Sequence, residues 1–153
     1  MTDAKDRKII DALTDNSRQS FREIARKVGV STVTVMKRVK RLEKEKTILG
    51  YSAVVDYEKL GYDTDVLINV KIVHGKNTRG YSRLAEKSEI LKHPNVLAAY
   101  DVTGDFDAVI MAKFKNRRSL DDFLKKLQGY EYIERTNTIV VLDTAEKKGI
   151  KLS

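Results

Sequence analysis

Residues 29–50 read GVSTVTVMKRVKRLEKEKTILG, and this stretch decides the fold of the first third of the chain. Gly29 suits the left-handed end of one helix, and Ser31 suits the N-cap of the next. In that next helix, at about 100° per residue, Val35, Val39 and Leu42 share one face. The opposite face is basic, and it carries Val33, Lys37, Lys40 and Lys44, with Thr34 and Arg41 beside them. The pattern predicts an amphipathic helix with a basic outer face.

Two shorter helices are predicted ahead of this one. The segment DAKDRKIIDALTDN (3–16) places apolar residues at helical spacing behind two early acidic residues, Asp3 and Asp6. The segment SFREIARKVG (20–29) opens with a capping box of Ser20 and Glu23 and ends at Gly29. Two short helices, a glycine turn and a basic third helix predict a helix-turn-helix.

The third helix has the chemistry of a DNA-reading element. Its first turn presents small hydroxyl and methyl groups, which can touch base edges or thymine methyls in the major groove. The lysines and arginines that follow suit backbone phosphates. The predicted DNA-binding residues are Ser31, Thr32, Val33, Thr34, Lys37, Arg38, Lys40, Arg41 and Lys44. A three-helix bundle with a basic face and no role in DNA binding is the alternative interpretation.

Positive charge is concentrated in the same part of the chain. The net charge is +8, and residues 18–46 hold ten basic residues against three glutamates. Residues 63–153 hold sixteen basic and thirteen acidic residues. A basic segment beside a nearly balanced one predicts a nucleic-acid-binding part joined to a part with another task. A charge-rich solvated surface, as in heat-adapted proteins, is the alternative explanation.

A linker is predicted after the third helix. Tyr51, Ala53 and Val55 alternate with their neighbours, which predicts a strand on one side of a small wing, and Gly61 marks a turn. We therefore assign 1–50 to a helix-turn-helix DNA-binding domain, 51–64 to a linker strand and turn, and 65–153 to a second domain.

The second domain reads as strand, helix, strand, strand, helix, strand. The strands are DVLINVKIVHG (65–75), NVLAAYDVTG (95–104), FDAVIMAKFK (106–115) and IERTNTIVVLDT (133–144), and the helices are TRGYSRLAEKSEILKHP (78–94) and SLDDFLKKLQG (119–129). This βαββαβ order predicts a ferredoxin-like domain. The whole chain is predicted to be α+β, an N-terminal (winged) helix-turn-helix followed by the ferredoxin-like domain.

In such a domain the helices cover only one face of the sheet. We assign to the uncovered face the residues Val70, Ile72, Val109, Met111 and Val141. A second copy would cover this face most simply, so we expect a homodimer. A dimer would place two reading helices about 34 Å apart, or a multiple of that distance, as a palindromic operator requires.

Several classes of protein are disfavoured by composition. There is no cysteine, and the two histidines, His74 and His93, stand far apart, so we expect no metal site and no cofactor. No nucleophile with a base and no phosphate-binding loop is present, which argues against an enzyme. The chain lacks an apolar run of about 18 residues and a signal-peptide core, so we expect a cytoplasmic protein with no membrane partner.

Taken together, the segments resemble the Lrp/AsnC family, the feast/famine transcriptional regulators. The resemblance lies in DRKIIDAL (6–13), SFREIARKVGVSTVTVMKRVKRLEKEKTILGY (20–51), VTGDFDAVIMAKF (102–114) and ERTNTIVVL (134–142), in that order. It implies double-stranded DNA as partner, dimers that often form octamers, and an amino-acid effector held between dimers by the second domain. One departure is Lys46 and Thr47, where the family commonly has glycine, and this leaves the wing geometry open.

The resemblance also implies an effector region, formed by Thr103, Gly104, Asp105, Phe106 and Asp107 with Thr136 and Thr138. Glycine lets backbone groups approach a small zwitterion, a carboxylate can pair with its ammonium group, and hydroxyls can donate or accept. The alternative is that GDFD is only a hairpin turn and the threonines are ordinary strand residues. For the whole protein, the alternative function is an architectural DNA-binding protein with little sequence preference and no effector.

Overall fold

The chain forms two units in the computed structural model, which describes residues 2–73 and 88–153. One unit runs to Val54 and includes Ala145–Ser153, and the other is Val55–Thr144. The first unit has three helices, α1 (Ala4–Asp15), α2 (Phe21–Val28) and α3 (Thr32–Lys44). The described part of the second unit has a four-stranded sheet, two α-helices and a short 3-10 helix at Glu58–Leu60.

Side-chain caps begin the three helices of the first unit. Asp3 caps α1 in a reciprocal capping box with Asp6, and Ser20 caps α2 in one with Glu23. Gly29 ends α2 with φ 74°, a conformation that glycine adopts without strain. Ser31 caps α3 by accepting a hydrogen bond from the N–H of Thr34. The local signals of the helix-turn-helix are confirmed.

The inner faces of these helices make one apolar core. Val35, Val39 and Leu42 of α3 are all buried, as the spacing predicts. Val35 and Val39 pack with the buried residues of the other two helices, among them Ile9 and Ile24. This burial provides the stability that the β-branched start of α3 lacks.

The end of α3 explains how the chain manages without the glycine common in the family. Lys46 has φ 57°, in the left-handed region, and its N–H donates to the carbonyl of Glu43 at 3.1 Å. The N–H of Thr47 donates to the carbonyl of Leu42 at 2.9 Å. These two bonds form a Schellman motif, which normally carries glycine at the position of Lys46. The lysine therefore bears a backbone cost of about 1–2 kcal/mol that glycine would avoid.

The predicted strand at 51–56 is wrong. Residues 51–56 have no regular secondary structure, and the described residues contain no wing strand. A strand needs a neighbour to satisfy its backbone groups, and all strand pairing in 2–73 and 88–153 occurs within the sheet of the second unit. Tyr51 instead turns back to α3, where its hydroxyl donates to Glu43 Oε1 at 2.8 Å.

The last residues also differ from the predicted domain boundaries. Residues 145–153, assigned by sequence to the second domain, pack on α1. The backbone N–H groups of Leu152 and Ser153 donate to the carboxylate of Asp11, at 2.9 and 3.0 Å. Lys148 Nζ donates to the carbonyl of Asp15 at 2.8 Å. A polar segment without an apolar pattern of its own gives no sequence sign of where it will bind.

The second unit contains β1 (Thr64–Ile72), α4 (Ser88–Leu91), β2 (Val96–Asp101), β3 (Ala108–Phe114), α5 (Arg117–Gln128) and β4 (Ile133–Val140). The sheet order is β2-β3-β1-β4, with every neighbouring pair antiparallel. This is the order of a ferredoxin-like sheet. Most of the helix predicted at 78–94 lies outside the described residues.

The two faces of the sheet differ from the prediction at two positions. Val70 and Ile72, assigned by sequence to the uncovered face, are buried with Phe123 and Leu127 of α5 in the core under the helices. The error is one of register, because successive strand residues point to opposite faces. The opposite face carries Val109 and Met111, as predicted, and they are partly exposed. Leu67, paired with Met111, joins them.

Candidate nucleic-acid interface and effector region

The outer face of α3 is open to solvent. Ser31, Thr32, Lys37, Lys40 and Lys44 are exposed. Val33 is 55% exposed, although it is an apolar residue in the first turn. A row of cations with an apolar group and hydroxyls at its N-terminal end is the arrangement expected of a helix that enters a major groove.

The hydroxyls at the start of α3 hold each other in place. Ser31 Oγ accepts from the N–H of Thr34 at 3.1 Å and lies 2.8 Å from Thr34 Oγ1. Ser31 therefore serves the helix cap as well as the outer face. Thr34 is half-buried beside it. These contacts fix the geometry of the first turn before any ligand binds.

Arg38 and Arg41 occupy a different environment from the lysines. Arg38 Nη1 donates to Asp6 Oδ1 at 2.8 Å, and Arg41 Nη2 donates to Asp6 Oδ2 at 2.6 Å. The Asp6 side chain is 1% exposed, whereas the two arginine side chains are 25% and 41% exposed. One buried carboxylate of α1 thus joins two arginines of α3. Both arginines still reach solvent, so they combine a structural contact with a possible contact to phosphate.

The Asp6 carboxylate stays ionised in this setting. Burial alone would raise its pKa, but the N–H of Asp3 and the guanidinium groups of Arg38 and Arg41 outweigh burial and lower the pKa from 3.8 to about 2. The same pairing raises the pKa of both arginines. The charges of the cluster are therefore constant at neutral pH.

Sequence reasoning missed the role of Asp6. It treated Asp3 and Asp6 only as acidic residues that favour a helix N-terminus. The available signal was spacing, because Asp6 lies on the same face of α1 as Ile9 and Leu13, which are buried. A carboxylate on an apolar stripe is rarely buried without a cation, so the pattern requires a basic partner from another element.

The predicted effector region centres on the hairpin between β2 and β3. Gly104 has φ 115°, a conformation that favours glycine, and Thr103 and Asp105 are exposed at the tip. The hairpin is closed by the N–H of Val102, which donates to the carbonyl of Asp107 at 2.9 Å.

Asp107 ties this hairpin to the end of β1. Its N–H donates to the carbonyl of Val70 at 2.9 Å, and its Oδ2 accepts from the N–H of Ile72 at 2.8 Å. Lys71 Nζ lies 3.4 Å from the same oxygen. The guanidinium of Arg135 on β4 lies over the ring of Phe106, 4.9 Å from its centre. The hairpin thus has a fixed place against two strands.

The two predicted threonines of β4 lie beside the same part of β1. Thr136 is paired with Val70, and Thr138 with Ile68. Cross-strand partners share a face, so both threonines are on the helix-covered side of the sheet. Thr136 Oγ1 accepts a hydrogen bond from Gln128 Nε2 of α5 at 3.1 Å. The structure thus brings the hairpin and Thr136 to the same end of β1, with Thr138 two residues further along.

The described residues, 2–73 and 88–153, contain neither a metal-binding cluster nor a membrane-spanning helix. In these ranges no group of three or more His, Cys, Asp or Glu side chains could hold a metal ion. In the same ranges no helix is both long and apolar enough to cross a membrane.

Comparison with known proteins matches both parts of the chain. Residues 3–43 match the AsnC-type helix-turn-helix domain, and residues 65–149 match the Lrp/AsnC ligand binding domain. An HTH-type transcriptional regulator of Pyrococcus abyssi is 38% identical over 147 residues, which is 96% of each chain. The regulator FL11 of Pyrococcus furiosus is 36% identical over 137 residues, covering 90% of this chain and 87% of that one.

Solved structures show the same architecture. Escherichia coli AsnC superposes with a TM-score of 0.84 at 27% identity and 99% coverage of both chains. A transcriptional regulator of Neisseria meningitidis, solved as an L-Met complex, superposes with a TM-score of 0.85 at 24% identity over 95% of this chain and 93% of that chain. The chain belongs to the Lrp/AsnC family, and it is a transcriptional regulator with a helix-turn-helix and a ligand-binding domain.

The buried pairing of Asp6 leads to a stability prediction. Asp6→Asn leaves two arginines without their shared carboxylate, and we expect it to lower the free energy of unfolding by about 3 kcal/mol. The arginines are partly exposed, which keeps the loss at the lower end of the range for buried pairs. Urea unfolding at neutral pH measures it. Asp15→Asn, an exposed change on the same helix, serves as the control and should cost less than about 0.5 kcal/mol.

The dependence of the free energy of unfolding on pH provides a second test of the Asp6 ion pair. The pKa of Asp6 is lower in the folded chain than in the unfolded chain. The stability that its ionised carboxylate contributes is therefore complete above a pH of about 3.8 and is lost as the pH falls toward about 2. The difference in stability between wild type and Asp6→Asn should therefore shrink over that interval. A difference that stays constant down to the lower pH would contradict an ionised Asp6 in the folded protein.

Proposed function

We propose that this regulator recognises a specific DNA sequence through α3 and responds to a free amino acid bound by its second domain. The observation that carries the DNA-reading part is the outer face of α3. An exposed Val33 and a set of hydroxyls precede three exposed lysines, while the inner face is fixed in the core. Base edges and phosphates would be contacted by different turns of the same helix.

The first turn of α3 separates this proposal from an architectural role. A protein that only wraps or bridges DNA needs phosphate contacts, which lysines supply without any help from Val33. An apolar side chain that is exposed to water is buried when it contacts a thymine methyl group, and this burial stabilises the complex. Sequence-specific recognition therefore explains the exposed Val33, which sequence-independent binding does not explain.

The sheet supports a proposal of self-association. Leu67, Val109 and Met111 form an apolar group on the face that α5 leaves uncovered. A second copy that covers this face would give a homodimer, and further association of dimers would give an octamer. A two-fold dimer would in turn match a palindromic operator.

The effector proposal rests on the hairpin and on the family. The region 65–149 matches a ligand-binding domain, and a structural relative is known as a complex with L-Met. In this chain, Thr103–Asp107 would surround a small zwitterion with backbone groups and a carboxylate, with Thr136 and Thr138 adding hydroxyls from β4. Binding would change DNA affinity if the effector favours one assembly, and such coupling is typically about 1–3 kcal/mol.

Selection from a random pool of duplexes tests the DNA-binding part of the proposal. We expect the protein to enrich a palindromic sequence and to bind it more tightly than random duplex at the same salt concentration. Lys40→Ala should weaken binding to both duplexes and reduce the slope of log K against log salt by about 0.9, because one phosphate contact is lost. Val33→Ser should weaken binding to the selected sequence only.

The control for the lysine is Lys147→Ala, which removes an equally exposed charge from the C-terminal segment. It should leave the salt slope unchanged. Failure of the pool to converge on any sequence, with equal binding of all duplexes, would support the architectural role and overturn sequence-specific recognition.

A thermal-shift screen against the twenty amino acids tests the effector part. A ligand that binds only the folded state stabilises it by about 2.7 kcal/mol at a concentration of 100 Kd, so we expect one amino acid or a few related ones to raise Tm by several degrees. Thr138→Val should abolish this shift, whereas Thr47→Val in the first unit should keep it. A flat response to all twenty would contradict an amino-acid effector and leave the DNA-binding proposal intact.

A further inference from the structure

A cleft of about 340 Å³ borders the outer face of α3. It is lined by Asp3, Thr34, Lys37, Arg38 and Arg41. At about 30 Å³ per water molecule, the cleft has room for a phosphate group together with several waters. Lys37 belongs both to this cleft and to the exposed row of α3, so a ligand in the cleft would be continuous with one on the helix face.

The cleft is positively charged, although it contains a carboxylate. Lys37, Arg38 and Arg41 supply three positive charges, while Asp3 at the rim and Asp6 behind the arginines supply two negative charges. Guanidinium groups suit the oxygens of a phosphate because they offer several N–H donors in a plane. The lining therefore favours a singly charged oxyanion such as a phosphodiester.

The carboxylate of Asp3 already sits where such an oxyanion would bind. Arg38 Nη1 donates to Asp3 Oδ2 at 2.7 Å and to Asp6 Oδ1 at 2.8 Å, which uses both of its hydrogens. Asp6 is buried and also pairs with Arg41, so an incoming oxyanion cannot displace its carboxylate from Arg38. The Asp3 side chain is 53% exposed, so a small rotation of the carboxylate can move Oδ2 from Arg38 into water while Oδ1 stays at the N–H of Asp6.

We infer that the carboxylate of Asp3 occupies a DNA phosphate site in the free protein, and that a backbone phosphate displaces it from Arg38 when duplex binds. The inference rests on the proposed DNA-binding function. In this arrangement Asp6 is a positioning residue that holds both arginines toward the cleft. Asp3 lowers affinity for every duplex equally, because phosphates are the same in all sequences, and so it weakens non-specific binding.

The chain offers a clean variant, because the two oxygens of Asp3 have separate tasks. Oδ1 accepts from the N–H of Asp6 and caps α1, and Oδ2 pairs with Arg38. Asp3→Asn keeps an oxygen for the cap, since asparagine is an equally good N-cap residue, and removes the charge from Arg38. Asp15→Asn changes net charge by the same amount at the other end of α1 and is the matched control.

The measurement is fluorescence anisotropy with a random-sequence duplex of about 30 base pairs, or three turns. Asp3→Asn should bind this duplex about two- to fivefold more tightly than Asp15→Asn does, the range expected for an exposed ion pair. In an Arg38→Gln background the advantage should vanish, because the cation for which Asp3 and the phosphate compete is gone. Arg38→Gln alone should lower the salt slope by about 0.9.

Circular dichroism melts show whether each variant is folded, and all variants are compared at one temperature at which Arg38→Gln is folded. Equal binding by Asp3→Asn and Asp15→Asn, or a gain that persists without Arg38, would overturn the inference alone. Absence of duplex binding by the wild-type protein at low salt would overturn the proposed function as well.

Discussion

The first unit depends on one buried carboxylate. Asp6 is buried, and it pairs with Arg38 and Arg41 across the contact between α1 and α3. A buried charge without a partner is costly, so this pairing and the burial of Val35, Val39 and Leu42 favour the same rotation of α3 about its axis. At this rotation Val33 and the lysine row face outward while Val35 and Val39 face the core.

The second unit depends on a comparable contact at the end of β1. Asp107 accepts from the N–H of Ile72 and lies beside Lys71, so the β2–β3 hairpin is held against the centre of the sheet. Hairpins of this kind are usually mobile at their tips, whereas here a side chain fixes the base. The predicted effector region therefore has a base that is bonded directly to β1 through Asp107.

Local chemistry made the first unit predictable. Three features of this unit depend only on residues that are close together in the sequence, namely the helix caps, the Gly29 turn and the apolar spacing of α3. The structure contains each of them. The sheet was predictable in its order of elements but not in its facing. Val70 and Ile72 alternate with Asn69 and Lys71, and alternation alone does not say which face of the sheet the helices cover.

Features that depend on distant partners escaped prediction. The strand expected at 51–56 has no neighbour to pair with in residues 2–73 and 88–153, and the C-terminal segment binds Asp11, more than a hundred residues away. Asp6 is the instructive case, because its position among apolar residues required a cation but did not say which one. The candidate effector region was proposed from family resemblance, and its internal hydrogen bonds became visible only in the structure.

The central claim is that the outer face of α3 lies against duplex. The chain has no cysteine, so single thiols can report contact at chosen positions. Val33→Cys places a thiol on the outer face, and Ile150→Cys places one at a site that is 81% exposed, in the segment bound near the C-terminal end of α1. Saturating duplex should slow alkylation of the thiol at position 33 severalfold and leave the thiol at position 150 unchanged. Equal alkylation at position 33 with and without bound duplex would contradict the account.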